Sequence, residues 1–139
     1  MQLHQGGCFC GAVRYVVTAE PFNSTLCHCT MCRRASGAPC VAWFSVPRAG
    51  LHFSAGSPAF YHSSPGARRG FCAACGTQLT FEDDRSPGEL DVTTASLDDP
   101  ELVPPDDHTF MQSHLRWLQL ADSLPRYLRT RGEGAREVP

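Results

Sequence analysis

Eight cysteines in a chain of 139 residues limit the possible folds more than any other feature of this sequence. Seven of them lie in three short stretches that read GGCFCGAVRY, LCHCTMCRRASGAP and GFCAACGTQL. In a secreted domain eight cysteines would suggest disulfides, with 105 possible pairings, whereas in a reducing compartment the same spacings indicate a metal site or catalysis. The amino terminus, MQLHQGGCFCGAVRY, lacks the basic start and apolar run of a secretion signal, although a chain already trimmed of its signal would look the same. We therefore expect a cytoplasmic protein whose cysteines bind metal.

The length and charge of the chain narrow the possible function classes. The formal net charge is −2, which disfavours nucleic acid or an anionic membrane surface as a partner. No stretch has the roughly eighteen consecutive apolar residues of a membrane-spanning helix. We predict one domain over residues 1–128, and we expect residues 129–139 to be a frayed tail because they have little apolar surface to bury. Nothing in the sequence indicates an oligomeric state.

Proline and glycine recur throughout the chain and leave little room for long helices. Between them lie short runs that are rich in β-branched and aromatic residues. These runs span residues 12–18, 41–46, 51–54, 59–63, 77–82 and 89–95. They predict a mainly β domain of short antiparallel strands joined by hairpins. In the first run, Val13, Tyr15 and Val17 should share one buried face.

One short helix is expected in the first half of the chain. The sequence TMCRRAS, residues 30–36, offers Thr30 as an N-cap and is followed by Gly37 as the end signal. Residues 107–128 carry the last large apolar side chains, but their pattern fits neither a helix nor a strand well. The sequence leaves the structure of that segment open.

Two of the cysteine motifs supply pairs of thiols on glycine-containing turns. Cys72 and Cys75 form a Cys-x-x-Cys-Gly turn, in which the glycine allows a positive φ and lets amide groups point at the sulfurs. Cys8 and Cys10 are a weaker half-site by themselves, but the glycines around them let the chain bend so that both sulfurs reach one ion. Together the two pairs predict a closed four-thiolate zinc site that joins the start of the chain to its middle. A thioredoxin-like redox pair is disfavoured, because no βαβ pattern surrounds the second pair.

The motif CHCTMC places Cys27, Cys29 and Cys32 within six residues. Three thiolates leave one position of a tetrahedral zinc open, and an open position is typical of a catalytic site. Cys40 would close the site if it joined, but it begins an apolar run and is interpreted as a small hydrophobic residue of a strand. His28 is a fourth ligand, a proton shuttle or an exposed residue, and exposure is the default expectation.

Two arginines follow the last thiolate of this motif. Arg33 and Arg34 would offset the negative charge of a zinc ion with three thiolates and attract an anionic ligand. A solvated basic pair on a short helix is the alternative, and for Arg34 it is equally acceptable. The other histidines show no ligand spacing and are expected in the core or at the surface: His4, His52, His62, His108 and His114.

In their order and spacing, the three cysteine motifs resemble those of the glutathione-dependent formaldehyde-activating enzyme family, to which vertebrate centromere protein V also looks related. The similarity runs from Gly6 to Gly76, and the later stretch HTFMQSHLRWLQLADSLPRY resembles the closing segment of the family. The resemblance implies a β-rich, zinc-bound fold of the Mss4-like or β-tent kind. It also implies two zinc ions, a structural one on Cys8, Cys10, Cys72 and Cys75 and a catalytic one on Cys27, Cys29 and Cys32.

The activity implied by the resemblance is the making and breaking of a carbon–sulfur bond, with glutathione and formaldehyde condensing to S-hydroxymethylglutathione. The expected partners are therefore a small thiol and an aldehyde, and a zinc ion suits them because it lowers the pKa of a thiol beside a carbonyl group. The arginines available for the carboxylates of glutathione are Arg33, Arg34, Arg68 and Arg69. A zinc-stabilised binding module without turnover, and a thiol or metal sensor, are the alternatives.

Overall fold

The computed structural model describes residues 2–131, which form a mainly β protein with one α-helix. The strands are β1 (His4–Gly7), β2 (Arg14–Val17), β3 (Phe22–Cys27), β4 (Val41–Pro47), β5 (Leu51–Ala55), β6 (Ala59–Ser64), β7 (Ala67–Phe71), β8 (Gln78–Asp83), β9 (Glu89–Thr93) and β10 (Asp107–Thr109). The helix α1 spans Thr30–Ser36, and 3₁₀ turns span Arg48–Gly50, Thr94–Ser96, Pro100–Leu102 and Met111–Ser113. Nowhere in the described part does a helix have the length and hydropathy needed to cross a bilayer. The predicted mainly β class is confirmed.

Two sheets share the main hydrophobic core. One has three strands in the order β1-β2-β5, and the other has seven in the order β10-β3-β4-β9-β8-β7-β6. Neighbouring strands are antiparallel except for β10 and β3, which run parallel. The core between the sheets contains Tyr15, Val17, Phe44, Val46 and Val92, each no more than 1% exposed. Burial of each such side chain contributes roughly 1.5–3 kcal/mol, so this core holds the two sheets together.

Each of the six predicted runs contains a strand, but four further strands were missed. The missed strands β1, β3, β7 and β10 read HQGG, FNSTLC, ARRGF and DHT, and their glycine and polar residues hide them from a propensity argument. They become strands because neighbouring strands of the sheet hydrogen-bond their backbone N–H and C=O groups. The alternation predicted for Val13, Tyr15 and Val17 is confirmed, since all three are buried.

The predicted helix is confirmed at Thr30–Ser36, with one correction at its start. Its N-cap is Cys29 rather than Thr30, because the Cys29 sulfur accepts a hydrogen bond from the backbone N–H of Cys32 at 3.2 Å. Gly37 ends the helix in the left-handed conformation with a φ of 66°, as its position predicted. A cysteine of the CHCTMC motif therefore also determines where the helix begins.

The segment that the sequence left open contains one short strand, one 3₁₀ turn and irregular chain. Residues 125–127 hydrogen-bond along the outer edge of β10, which is therefore covered. Phe110 N–H donates to the carbonyl of Arg129 at 3.1 Å, and Arg131 forms an ion pair with Asp107. The rest of the predicted frayed tail, residues 132–139, lies outside the described residues. The domain boundary at residue 128 stays a prediction.

Candidate metal centres

Four cysteines from two loops meet at one point of the structure. Their sulfurs all lie within 4.8 Å of one another and belong to Cys8, Cys10, Cys72 and Cys75, here called the four-cysteine cluster. Cys8 Sγ and Cys10 Sγ are 3.6 Å apart, and Cys10 Sγ lies 3.8 Å from Cys72 Sγ. Sulfurs placed tetrahedrally at about 2.3 Å from a zinc ion would be about 3.8 Å apart, which matches this spacing. The four-cysteine cluster can therefore hold a metal ion.

Each pair of cysteines in this cluster lies on a tight turn. Gly11 N–H donates to the carbonyl of Cys8 at 3.1 Å, and Gly11 has a φ of 81°. The second turn is equivalent, because Gly76 N–H donates to the carbonyl of Cys72 at 2.8 Å and Gly76 has a φ of 84°. An L side chain would be strained at such a φ, which explains the glycine in each motif. Since one turn precedes β2 and the other joins β7 to β8, the cluster connects the two sheets.

Polar groups beside the four-cysteine cluster stabilise two of its thiolates, those of Cys8 and Cys75. Val13 N–H donates to Cys8 Sγ at 3.2 Å, and this hydrogen bond lowers the pKa of Cys8. The hydroxyl of Thr77 lies 3.3 Å from Cys75 Sγ, and its hydrogen bond lowers the pKa of that thiol to about 5. Because the thiolate is the form that binds metal, these contacts favour metal binding near neutral pH.

A second cluster lies where β3 meets α1. The sulfurs of Cys27, Cys29 and Cys32 all lie within 4.8 Å of one another. Cys27 is the last residue of β3, Cys29 caps the helix, and Cys32 lies in its first turn. Within residues 2–131, no further cysteine, histidine or carboxylate joins this three-cysteine cluster, which packs against Trp43 and Phe81. The three-cysteine cluster can hold a metal ion with three sulfur ligands.

Hydrogen bonds among these three thiols distribute the charge unevenly. Bonds from the Cys27 and Cys32 thiols lower the pKa of Cys29 well below its ordinary value. The bond with Cys29 raises the pKa of Cys27. A guanidinium also approaches the cluster, with Arg69 Nη2 and Nη1 at 3.8 and 3.9 Å from Cys32 Sγ. Cys29 is therefore the first of the three thiols to ionise.

Cys40 stands apart from both clusters. It is partly buried, it immediately precedes β4, and burial raises the pKa of its thiol. It is absent from each group of sulfurs that lies close enough to share an ion. Its position agrees with the interpretation of a small hydrophobic residue at the head of a strand.

The expectation that His28 is exposed is wrong. The residue is fully buried, and burial lowers the pKa of its imidazole to about 4. His28 Nε2 lies 2.9 Å from His108 Nδ1, so the ring is directed to β10 and does not join the three-cysteine cluster. The ring is buried because β10 and the chain that covers it pack against the end of β3, which the local sequence around His28 does not reveal.

A cavity of about 610 Å³ lies beside the three-cysteine cluster. Its walls are formed by Met31, Arg34, Ala35, Tyr61, Ser63, Arg69, Phe71 and Gln78. Arg69 links the two features, because it lines the cavity and contacts Cys32 Sγ. Of the other arginines singled out in the sequence, Arg34 lines this cavity, Arg33 does not, and Arg68 pairs with Glu82 instead.

Sequence reasoning grouped Arg68 with Arg69 because β7 was not recognised as a strand. Successive side chains of a strand point to opposite faces, so the alternation would have separated the two arginines. In the structure Arg69 reaches Cys32, whereas Arg68 lies over the Phe60 ring, with its Cζ 4.0 Å from the ring centre. No local signal could have predicted the contact of His28 with His108, which are 80 positions apart.

The chain is similar to known proteins both in sequence and in fold. The family model described as glutathione-dependent formaldehyde-activating enzyme matches residues 3–113. A Halomonas elongata protein, provisionally named as such an enzyme, is 30% identical over 132 residues, covering 85% of this chain and 81% of that protein. A Schizosaccharomyces pombe protein named as an uncharacterized lyase is 32% identical over 83 residues, or 58% of each chain. The crystal structure of a Rhodobacter sphaeroides protein is similar, with a TM-score of 0.60 and 25% identity over 76% of this chain and 99% of the other.

Proposed function

The chain belongs to the glutathione-dependent formaldehyde-activating enzyme family, and from this we propose that it is a carbon–sulfur lyase that acts on thiol–aldehyde adducts. S-hydroxymethylglutathione is the adduct that the family description suggests, with glutathione and formaldehyde as its components. The observation that carries the proposal is the three-cysteine cluster beside a cavity lined by two arginines. Such a cavity admits a small anionic thiol to a centre that lacks a fourth protein ligand among the described residues.

We propose zinc for both clusters, because soft thiolate donors favour it. Four cysteines form a closed structural site, whereas three leave a coordination position free. In the three-cysteine cluster, zinc would act as a Lewis acid and lower the pKa of an approaching thiol. All eight cysteines are free, as metal binding requires, so we place the protein in a reducing compartment, the cytoplasm.

The residues around the proposed catalytic cluster have distinct tasks. Cys27, Cys29 and Cys32 hold the ion, and the apolar Trp43 and Phe81 pack against them, which limits the access of water. Met31 and Phe71 give the cavity apolar surface for the substrate stem, and Arg34 supplies positive charge. Arg33 adds positive charge to the same helix without lining the cavity.

The proposed reaction is a balanced addition. The thiol sulfur attacks the aldehyde carbon, the S–H bond breaks, a carbon–sulfur bond forms, and the proton is transferred to the carbonyl oxygen. The reverse reaction cleaves that bond and returns the thiol and the aldehyde. No atom changes its oxidation state, so no external oxidant or reductant takes part. Because the addition also proceeds without an enzyme, holding the two reactants in contact supplies much of the acceleration.

The proposal is tested by measuring adduct exchange with glutathione and formaldehyde by NMR. The zinc-loaded wild type should accelerate the exchange, and Cys29→Ser should return it to the uncatalysed rate. Cys40→Ser is the matched control, since Cys40 belongs to neither cluster, and it should exchange like the wild type. Equal rates for the wild type and Cys29→Ser would contradict catalysis and favour a zinc-stabilised binding module. Reversible oxidation of the three cysteines without turnover would favour a thiol or metal sensor.

A further inference from the structure

Arg69 is a buried cation that pairs with no carboxylate in the described part of the chain. Only 5% of the residue is exposed. Its guanidinium contacts Cys32 Sγ at 3.8 Å from Nη2, and its Cζ lies 5.0 Å from the centre of the Phe81 ring. A guanidinium has five N–H donors, so these two contacts leave donors free. A buried charge is costly unless it is paired, and the contact with Cys32 occupies only part of the guanidinium, so Arg69 can bind an anion in the cavity as well.

The arginines that do pair with carboxylates are more exposed than Arg69. These pairs are Arg14 with Asp98, Arg48 and Arg68 with Glu82, Arg85 with Asp83 and Arg131 with Asp107. The side chains of these arginines are between 31% and 84% exposed. Arg69 is thus a buried arginine without a carboxylate partner among the described residues, whereas the arginines with such partners are all partly exposed.

The cavity wall beside Arg69 suits a carboxylate. Arg34 supplies a second positive charge, and neither aspartate nor glutamate lines the cavity among residues 2–131. The hydroxyl of Ser63 is buried in this wall and has no hydrogen-bond partner in the part of the chain that the structure describes, and Gln78 lies in the same wall. Two cations beside a hydroxyl and an amide are groups that can bind a carboxylate through several hydrogen bonds.

We propose that Arg69 selects the substrate by binding its carboxylate, so that the protein prefers thiols that carry a carboxylate a few bonds from the sulfur. This inference rests on the proposed function, because it takes from that function that the substrate is a thiol. Arg69 Nη2 lies 3.8 Å from Cys32 Sγ. A carboxylate oxygen of the substrate that accepts a hydrogen bond from this guanidinium at about 2.8 Å would therefore lie within roughly 7 Å of Cys32 Sγ. A compact thiol such as 3-mercaptopropionate spans that separation with its sulfur at the three-cysteine cluster and its carboxylate at Arg69.

The test compares thiols that differ only in charge. Calorimetric titrations of the zinc-loaded protein use 3-mercaptopropionate and its neutral amide, without an aldehyde. The wild type should bind the acid about tenfold more tightly than the amide, which corresponds to one charge-assisted interaction. Arg69→Gln should bring that ratio close to one. Arg68→Gln is the matched control, because Arg68 neighbours Arg69 on β7 but pairs with Glu82, and it should keep the wild-type ratio.

A merely structural role of Arg69 predicts a different result. If Arg69→Gln weakens the binding of the acid and of the amide by the same factor, so that the ratio of their affinities is unchanged, the inference is overturned. Zinc content and thermal unfolding of each variant show whether the fold and both clusters persist. Should Arg69→Gln not fold, Arg69→Lys keeps the charge but loses the bidentate geometry, and the ratio should then fall about threefold; an unchanged ratio would overturn the inference. Because no aldehyde is present, failure of the proposed carbon–sulfur chemistry would leave this binding ratio intact.

Discussion

His28 Nε2 lies 2.9 Å from His108 Nδ1, and both imidazoles are fully buried. His108 Nε2 in turn lies 3.0 Å from both carboxylate oxygens of Asp122. Although desolvation raises the pKa of Asp122, the hydrogen bond from His108 holds it below its ordinary value, so the carboxylate is ionised and accepts. His108 therefore donates from Nε2 to Asp122, and its Nδ1 shares a hydrogen bond with His28 Nε2. This chain of hydrogen bonds ties the loop between Cys27 and Cys29 to the carboxyl-terminal segment.

Replacing His108 should destabilise the protein through this contact. His108→Ala removes a buried ring and leaves His28 Nε2 without its hydrogen-bond partner, which should lower the free energy of unfolding by about 2–4 kcal/mol. Urea unfolding of the zinc-loaded protein measures the change. His52→Ala is the control, because His52 is exposed on β5 and its loss should cost less than about 0.5 kcal/mol. Similar losses for both variants would show that the hydrogen-bonded chain contributes nothing.

The two clusters should differ in how they bind zinc. Wild-type protein should contain two zinc ions per chain by elemental analysis, and Cys29→Ser should contain one. Cys72→Ser should lose the ion that joins the two sheets and should unfold at a much lower temperature, because binding at a closed four-cysteine site adds directly to folding free energy. Cys40→Ser should keep two ions. A wild type with one ion, or Cys29→Ser with two, would contradict the assignment.

Asp91 should make the free energy of unfolding fall as the pH rises. A carboxyl group whose pKa is lowered by folding has the opposite effect. Burial raises its pKa to about 6, while the Ser45 hydroxyl donates to its carboxylate at 2.6 Å. Between its ordinary pKa and about 6 the folded state binds a proton that the unfolded state does not, so stability falls as pH rises through this range. Asp91→Asn should therefore raise the free energy of unfolding by about 1–3 kcal/mol at pH 8.

The gain from Asp91→Asn should shrink gradually as the pH falls from about 6 to the ordinary pKa of an aspartate, because the folded wild type binds a proton and regains stability over that range. Urea titrations at pH 8 and pH 4.5 measure both values, since most of the change lies between the two pKa values. Asp106→Asn makes the same change in charge at an exposed position and should show no such gain. A gain for Asp91→Asn that is equal at the two pH values would mean that burial of its charge is not the cause.

Glu82 should stabilise the fold through two arginines. Its buried carboxylate accepts hydrogen bonds from Arg48 and Arg68, and although desolvation raises its pKa, these bonds hold it below its ordinary value. Glu82→Gln should lower the free energy of unfolding by about 1–2 kcal/mol at pH 7, a modest loss because both guanidiniums reach solvent. The difference from wild type should diminish as acid protonates Glu82 below its ordinary pKa.

The matched control for Glu82→Gln is Asp83→Asn. Asp83 is the next residue of β8, and its partner Arg85 is 84% exposed, so the loss should stay below about 0.5 kcal/mol. Thermal or urea unfolding of the two variants side by side gives the comparison. Equal losses would show that burial of Glu82 adds nothing to its ion pairs.

Several features could be predicted because their causes are local. A cysteine pair and its glycine form one tight turn, so the spacing in the motifs of Cys8 and Cys72 already indicates ligand geometry. The strand of Val13, Tyr15 and Val17 was predictable for the same reason, since alternation is a property of neighbouring residues. The helix at Thr30–Ser36 needed only its flanking residues, yet its cap was misassigned because a cysteine sulfur took the place of a hydroxyl.

The amino-acid sequence by itself determined the half-sites, because each depends on a few consecutive residues and their backbone angles, whereas the meeting of Cys10 with Cys72, 62 positions apart, depends on the fold. The tertiary structure alone decided what surrounds those cysteines. Arg69 reaches Cys32 only because β7 is paired between β6 and β8, and His28 is buried only because β10 lies beside β3. Such neighbours are chosen by strand pairing and core burial over the whole chain, whose free energy is shared among distant residues and leaves no local pattern to read.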